Sequence, residues 1–402
     1  MIVFVLIIAA VILTNAAASP AVVTNFPSPS SSLSIGSRPS LHSLQHPISI
    51  RFFPKSSFKS INFQRLHVSN INNTPSPIQA ISDSDPSQYP RVFVDGQAGT
   101  TGLRIREYLQ NRSDIRLLQI ADHLRKDTAE RARLLNEADI VFLCLPDQAA
   151  IDAVNLITNP STIAIDASTA HRTDQDWVYG LPEMDLLQRS KIRQSKRISN
   201  PGCHATAFIL LVRPLIHYGM LENEFPITAQ SITAYSGGGR QMIEQYEADD
   251  RPERMRIPQP YALGLQHKHI PEMMQHSKLR CRPIFMPVIG DFPRGLSVSI
   301  PIRLETLGLK KPAFLHKFFT EHYKDDPFIR VVPQDEIDAI QSGQQRYDIT
   351  STRDTNQVDI YVFGSKDQAI LMACLDNLGK GASGAAIQSM NIALGLPEQT
   401  GL

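Results

Sequence analysis

Acidic side chains are missing from the start of the chain: no Asp or Glu precedes Asp83, although Arg38, Arg51, Lys55, Lys59 and Arg65 do. Cysteine is scarce. Its four positions, Cys144, Cys203, Cys281 and Cys374, show no CxxC spacing and no companion ligand pattern, which excludes a zinc ribbon and a disulfide framework. Neither sign of charge is in excess, and a formal net charge of +1 gives no reason to expect nucleic acid or an anionic surface as a partner. Internal repeats are absent, and the apolar run ending near Ala18 is too short for a stable membrane span. What is there, 402 residues with 42 % hydrophobic and 20 % charged, is a soluble globular composition with room for two domains.

The first 88 residues read as a targeting leader and not as fold. Residues 1–19 have the apolar core (Ile2 to Ile8) and small-residue end (Asn15 to Ser19) of a secretory signal, without its basic start. Residues 20–88 are rich in Ser, Pro and Asn, with basic but almost no acidic residues, as in a transit peptide. The two in series resemble the bipartite leader of proteins imported into plastids of secondary origin. A single mitochondrial or plastid leader is the alternative, and the mature form is expected to carry no membrane anchor.

From Arg91 strands and helices alternate. Arg91–Asp95 is a short apolar strand that runs through Gly96, Gly99, Thr100, Thr101 and Gly102 into an amphipathic helix beginning at Leu103. Glycines three apart between a strand and a helix form a variant of the fingerprint that brings backbone to a pyrophosphate at a helix N-terminus. Further strands at 115–120, 140–145 and 162–166 alternate with helices at 127–138 and 149–157, which predicts a doubly wound, Rossmann-type parallel sheet. Asp122 stands where a ribose-binding acid is expected, but His123, Arg125 and Lys126 beside it suit a 2′-phosphate, which favours NADP. A solvated basic turn would carry the same residues.

Ser199–Asn200–Pro201–Gly202–Cys203 is a turn that enters an apolar helix, placing Cys203 at a helix N-terminus. Free backbone N–H groups there favour negative charge, so the expectation is a thiol of lowered pKa beside oxyanion donors. A strand at 226–235 follows, and then Ser236–Gly237–Gly238–Gly239–Arg240. That segment either brings backbone to a ligand and aims a guanidinium at an anion or forms a flexible hairpin tip. His267 and His269 could serve as a metal pair, but no third ligand stands at a recognisable spacing. Acid–base work beside the thiol is the better use of one imidazole, and His204, adjacent in sequence, is a poorer partner. Arg294 lies on a turn between strands at 283–288 and 296–300. A helix at 312–323 and strands near 358–363 and 370–373 complete an α+β domain, and the glycine-rich stretch Asp376–Gly384 begins a last helix through Leu396. The boundaries drawn are 89–202 plus 376–402 for the dinucleotide domain and 203–375 for the catalytic and dimerisation domain.

Together, Asp95–Gly102 (DGxAGTTG), Ser199–Cys203 (SNPGC), His267–Glu272 (HKHIPE) and Asn377–Gly384 (NLGKGASG) resemble the short form of the N-acetyl-γ-glutamyl-phosphate reductase family. The resemblance covers about Arg91 to the C-terminus. It implies NADPH-dependent reduction of N-acetyl-glutamyl 5-phosphate to the 5-semialdehyde through a cysteine thioester, in arginine biosynthesis. By resemblance Cys203 is the nucleophile and His269 the acid–base group. Substrate and phosphate contacts fall on Ser168, Arg172, Asn200, Ser236, Gly237, Arg240, Glu272 and Arg294. NADP would be held by Gly96, Gly99, Thr100, Thr101, Gly102, Arg125, Gly202, Asn377, Gly379 and Lys380, with no metal. Self-association is expected, with the upstream acetylglutamate kinase a candidate further partner. Aspartate-semialdehyde dehydrogenase is the nearest alternative, though its cysteine usually follows an Asn directly. A non-catalytic NADP-binding redox regulator is the remote one.

Overall fold

The computed structural model describes residues 88–402, so the leader lies outside the described residues. The first layer contains β1 (Arg91–Asp95), α1 (Thr100–Gln110), β2 (Arg116–Leu118), α2 (Thr128–Glu137), β3 (Ile140–Leu143), α3 (Asp147–Leu156), β4 (Ile163–Asp166), β5 (Val178–Tyr179), α4 (Gln188–Gln194) and β6 (Arg197–Ser199). The strands form one all-parallel sheet in the order β2-β1-β3-β4-β6-β5. A parallel sheet is covered on both faces, which is why its strands read as continuous apolar runs. Val92, Val94, Ile140, Phe142 and Ile165 face one core with Ile105 and Leu109 of α1. Phe93, Val141 and Leu143 face the other, with Leu134 and Leu135 of α2 and Ala153 of α3. The order reverses between β1 and β3, and α1 starts beside that crevice, where such sheets bind ligands.

The second layer contains α5 (Cys203–His217), β7 (Thr228–Ala234), α6 (Arg240–Glu247), β8 (Gln259–Pro260), α7 (Ile270–Ser277), β9 (Ile284–Gly290), β10 (Leu296–Arg303), α8 (Pro312–Tyr323), β11 (Ile329–Val331), α9 (Gln334–Gln341), β12 (Val358–Ser365) and β13 (Gln368–Leu375). Its mixed sheet runs β11-β12-β13-β10-β7-β9-β8. Helix α5 is apolar nearly all round because it lies at the centre of this core, with Phe208 and Leu211 among Val298, Ile300, Leu371 and Ala373. Pro214 sits inside it and cannot donate to the carbonyl of Leu210 one turn earlier. The hydroxyl of Tyr323, at the end of α8, donates to that carbonyl instead, at 2.6 Å. The other face of the sheet keeps Ile232, Ile284, Met286 and Ile370 exposed, each by at least two-fifths.

After β13 a π-turn (Gly379–Ser383) leads into α10 (Gly384–Leu394), so the last helix starts later than the sequence suggests. Ala386, Ile387 and Met390 of α10 join the first sheet's core. The described residues fall in one compact unit, and among them no helix is long and apolar enough to cross a membrane.

Candidate active site

Cys203 is the first residue of α5, and Gly202 precedes it in extended backbone without a side-chain cap, so the free N–H groups of the helix end stay open. Gly202 is where three side chains converge. A Cβ there would lie 2.5 Å from the Arg172 guanidinium, 2.5 Å from the Glu272 carboxylate and 2.6 Å from His269 Nε2. Glycine is the residue that leaves this space. Glu272, on the first turn of α7, organises the cluster. Its carboxylate accepts from Tyr179 Oη at 2.8 Å, the Gly202 backbone N–H at 3.1 Å and Arg172 Nη1 at 3.0 Å, and stands 3.8 Å from His269 Nε2.

Cys203 Sγ and a ring nitrogen of each of His204 and His269 lie within 4.8 Å of one another. Both ring nitrogens of His204 are engaged, Nδ1 with Ser231 Oγ and Nε2 with Tyr261 Oη, each at 2.9 Å. His267 Nδ1 accepts from the His269 backbone N–H at 3.1 Å. His269 Nδ1 is buried with no hydrogen-bond partner, which leaves this imidazole the one with proton capacity beside the sulfur. Burial, helped by Arg172 and the neighbouring imidazoles, holds His269 well below the usual imidazole range, so it is a neutral base.

The expectation of a lowered thiol pKa is corrected here. Burial pushes the Cys203 thiol up to about 11, against the opposing effects of Arg172, the His204 backbone N–H and Lys268. The helix end is present, but desolvation of the thiolate outweighs it. The resting site is a neutral thiol beside a neutral imidazole.

Around the sulfur lies a cavity of about 390 Å³ lined by Thr100 and Thr101 of α1, Arg172, Asn200, Gly202, His269, Ser236, Gly237 and Asn377, among others. Asn377 ties this wall together, accepting from the Gly295 N–H at 3.0 Å and donating to Ser236 Oγ at 2.9 Å. The turn before α1 suits a dinucleotide phosphate. Gly96 has φ +87°, Gly102 packs its α-carbon against the Gly96 carbonyl, and Gly99 precedes α1 with no side-chain cap and no acid in the first turn. Asn200 Oδ1 is buried on the cavity wall without a partner, an acceptor available to a carboxamide. Arg125 stands on the exposed turn after β2, bonded to its neighbour Asp122, within the region where a 2′-phosphate is bound in such folds.

Several residues implied by resemblance are placed elsewhere. Lys380 is fully buried and donates to Glu183 at 2.7 Å and to Gln388, so it cannot reach a cofactor. Gly379 packs against the Thr355 carbonyl, and the cavity does not reach it. Ser168 turns its hydroxyl to Asp166 at 2.7 Å and does not line the cavity. Arg240 and Arg294 open on a neighbouring cavity of about 500 Å³. Arg240 holds Glu244, and Arg294 holds Asp354. The three glycines before Arg240 do line the cysteine's cavity, while the arginine begins α6 and points away. Two residues escaped the sequence reading. Tyr179 gave no local signal, whereas Lys268 lay in plain sight between two singled-out histidines.

An open glycine-rich turn on a parallel sheet, facing a cysteine–histidine pair on a mixed-sheet layer, defines a nicotinamide-dependent oxidoreductase of the semialdehyde dehydrogenase type. Residues 91–195 match the family model "Semialdehyde dehydrogenase, NAD binding domain" and residues 203–377 match "Semialdehyde dehydrogenase, dimerisation domain". The fold is similar to aspartate semialdehyde dehydrogenase II of Vibrio cholerae, with a TM-score of 0.58 at 14 % identity over 76 % of this chain and 98 % of that one. It is also similar to the Candida albicans enzyme solved with NADP, with a TM-score of 0.51 at 14 % identity over the same shares. In sequence the chain is 46 % identical to N-acetyl-gamma-glutamyl-phosphate reductase 2 of Nostoc over 78 % of its length and 99 % of the relative's. It is 42 % identical to the Rhizobium meliloti reductase over 76 % and 99 %. The chain belongs to the N-acetyl-gamma-glutamyl-phosphate reductase family.

Proposed function

We propose that this chain reduces N-acetyl-glutamyl 5-phosphate to N-acetyl-glutamate 5-semialdehyde, in arginine biosynthesis, with Cys203 as nucleophile and His269 as acid–base group. The observation that carries the assignment of roles is the sulfur at the start of α5, within 4.8 Å of a neutral imidazole and in one cavity with Thr100 and Thr101 at the start of α1. His269 takes the thiol proton as sulfur attacks the acyl carbon, so a thiolate is made only when an electrophile is present to use it. The carbon–oxygen bond to phosphate breaks, His269 returns the proton to the departing phosphate, and a thioester remains on Cys203. Gly96, Gly99, Thr100, Thr101, Gly102 and Asn200 would hold the dinucleotide, which in its reduced form, NADPH, would supply hydride to the thioester carbon and leave as NADP. The backbone N–H groups at the start of α5 stabilise the oxyanion of the resulting thiohemiacetal. Its carbon–sulfur bond breaks to release the aldehyde, and a solvent proton returns through His269 to sulfur. Glu272 keeps Arg172, Gly202 and Tyr179 in place throughout.

The exposed apolar face of the second sheet, with Ile232, Ile284, Met286 and Ile370, supports self-association through that face. The leader composition supports import into a plastid, with the mitochondrion as the alternative. Acyl phosphates hydrolyse readily in water, which supports a transient encounter with the acetylglutamate kinase that makes one. Cys203→Ser should retain NADP binding and the fold while losing phosphate-dependent semialdehyde oxidation and any acyl adduct on the Cys203 peptide. Near-normal turnover in that variant would rule out covalent catalysis.

A further inference from the structure

We infer that Lys268 receives the phosphate group of the acyl phosphate and draws it away from the sulfur. The inference rests on the reaction proposed above. A phosphate leaving this cavity carries more than one negative charge, and a cation with donors to give must face it. Each of the other candidates has its charge countered by a carboxylate. Arg172 directs Nε to the Asn200 carbonyl at 2.9 Å, Nη1 to Glu272 at 3.0 Å and Nη2 to the Ala167 carbonyl at 3.2 Å, and is only 9 % exposed. Arg240 and Arg294 face the neighbouring cavity, each on a carboxylate. Lys380 is sealed against Glu183.

Lys268 differs from all of these. It lines the same cavity as Cys203 and His269, is exposed, and among the described residues makes no hydrogen bond or ion pair. Asp147, the acid that feels its charge, is already held by the Thr169 backbone N–H at 2.8 Å and the Thr169 hydroxyl. The backbone that carries Lys268 is fixed on both sides. The His269 N–H donates to His267 Nδ1, and the Ile270 N–H donates to the His267 carbonyl at 3.0 Å, just before Pro271 enters α7. A compact ammonium with three rotatable donors on a rigid turn suits a group that must be bound and then released. Its charge also favours the Cys203 thiolate, which places it within electrostatic reach of the reacting atoms.

The test runs the reaction toward acyl phosphate, with semialdehyde, NADP and inorganic phosphate as separately varied reactants. Lys268→Met should raise the KM for inorganic phosphate about 10- to 100-fold, the scale of one charge-assisted hydrogen bond. The KM values for semialdehyde and NADP should stay within about twofold, and Lys268→Arg should recover most of the loss. In a second measurement, independent of turnover, inorganic phosphate should slow alkylation of Cys203 by iodoacetamide in the native protein and not in Lys268→Met. An unchanged phosphate KM, retained phosphate protection, or a rise confined to the KM for semialdehyde or NADP would overturn the inference while the reductase reading stands. A native protein without any phosphate-dependent reduction of NADP would instead bring down the reading itself.

Discussion

The two glycine-rich turns of this chain both run into a helix, and both reach the sulfur's cavity, the first through Thr100 and Thr101 and the second through Gly381 and Ala382, yet they do opposite work. In the turn before α1, a Cβ at Gly96 or Gly102 would strike the Cys144 or the Gly96 carbonyl, but one at Gly99 would meet only carbonyl oxygens at 3.5 Å and 3.8 Å, and the helix end stays open. In the turn before α10, a Cβ at Gly379 would strike the Thr355 carbonyl, one at Gly381 would lie 2.6 Å from Cys203 Cβ, and one at Gly384 would strike Asn356. At Gly99 the first turn keeps space for a ligand. The second brings backbone against protein, and its lysine is locked inside. Glycine spacing before a helix therefore does not identify a phosphate site. What separates these two turns is the open space at Gly99, which no glycine of the second turn has.

This contrast can be broken at several points. The largest effect is expected for Lys380→Met, which strands Glu183 without its partner. Both side chains are fully buried, so stability should fall by about 3–5 kcal/mol in a denaturant titration. The KM for NADP should move by less than about twofold, and a large rise there would restore Lys380 to the cofactor site. Gly381→Ala comes next. Its new methyl must displace Cys203 or the Asp376 carbonyl, 3.1 Å away, and overpacking of this kind costs about 1–3 kcal/mol. Placed on the reacting sulfur, the same strain should lower kcat about 10- to 100-fold with NADP affinity retained. Weakened NADP binding with normal kcat would reverse the roles of the two turns.

Gly99→Ala is the converse substitution and a milder one. The fold has room for the methyl, so the melting temperature should hold while the KM for NADP rises about tenfold, equivalent to ~1.4 kcal/mol. An unaffected KM would mean that the open turn does not hold the cofactor. The gentlest test alters no residue. Neither turn brings a charge to the sulfur, and the thiol stands at about 11, so its alkylation by iodoacetamide should climb about tenfold per pH unit between pH 7 and 9. A plateau below pH 8 would show that the helix end prevails over burial after all.

The architecture was legible wherever a physical constraint is local. Parallel strands buried on both faces leave runs such as Ile140–Leu143, and Pro312 with Leu315, Phe318 and Phe319 marks α8 on its observed residues. Strands β5 and β6, two and three residues long, are too short to show a period, and α6 was hidden by the glycines in front of it. Within the site, the convergence of Cys203, His269, Arg172 and Glu272 was readable only as assembled motifs. The direction of Arg294 and the sealing of Lys380 depend on neighbours 60 and 197 residues away. Spacing along a chain carries no record of them.

Pro214 has a bearing on how the enzyme comes into being. The helix that presents the nucleophile contains a break it cannot mend itself, and the mending hydroxyl, on Tyr323, is 113 positions downstream of the carbonyl it serves. During synthesis the first layer's early strands can associate as they emerge, but the reactive thiol waits on a scaffold whose brace has not yet been made. The carbonyl in that helix therefore stays without this partner until the chain has been made through Tyr323.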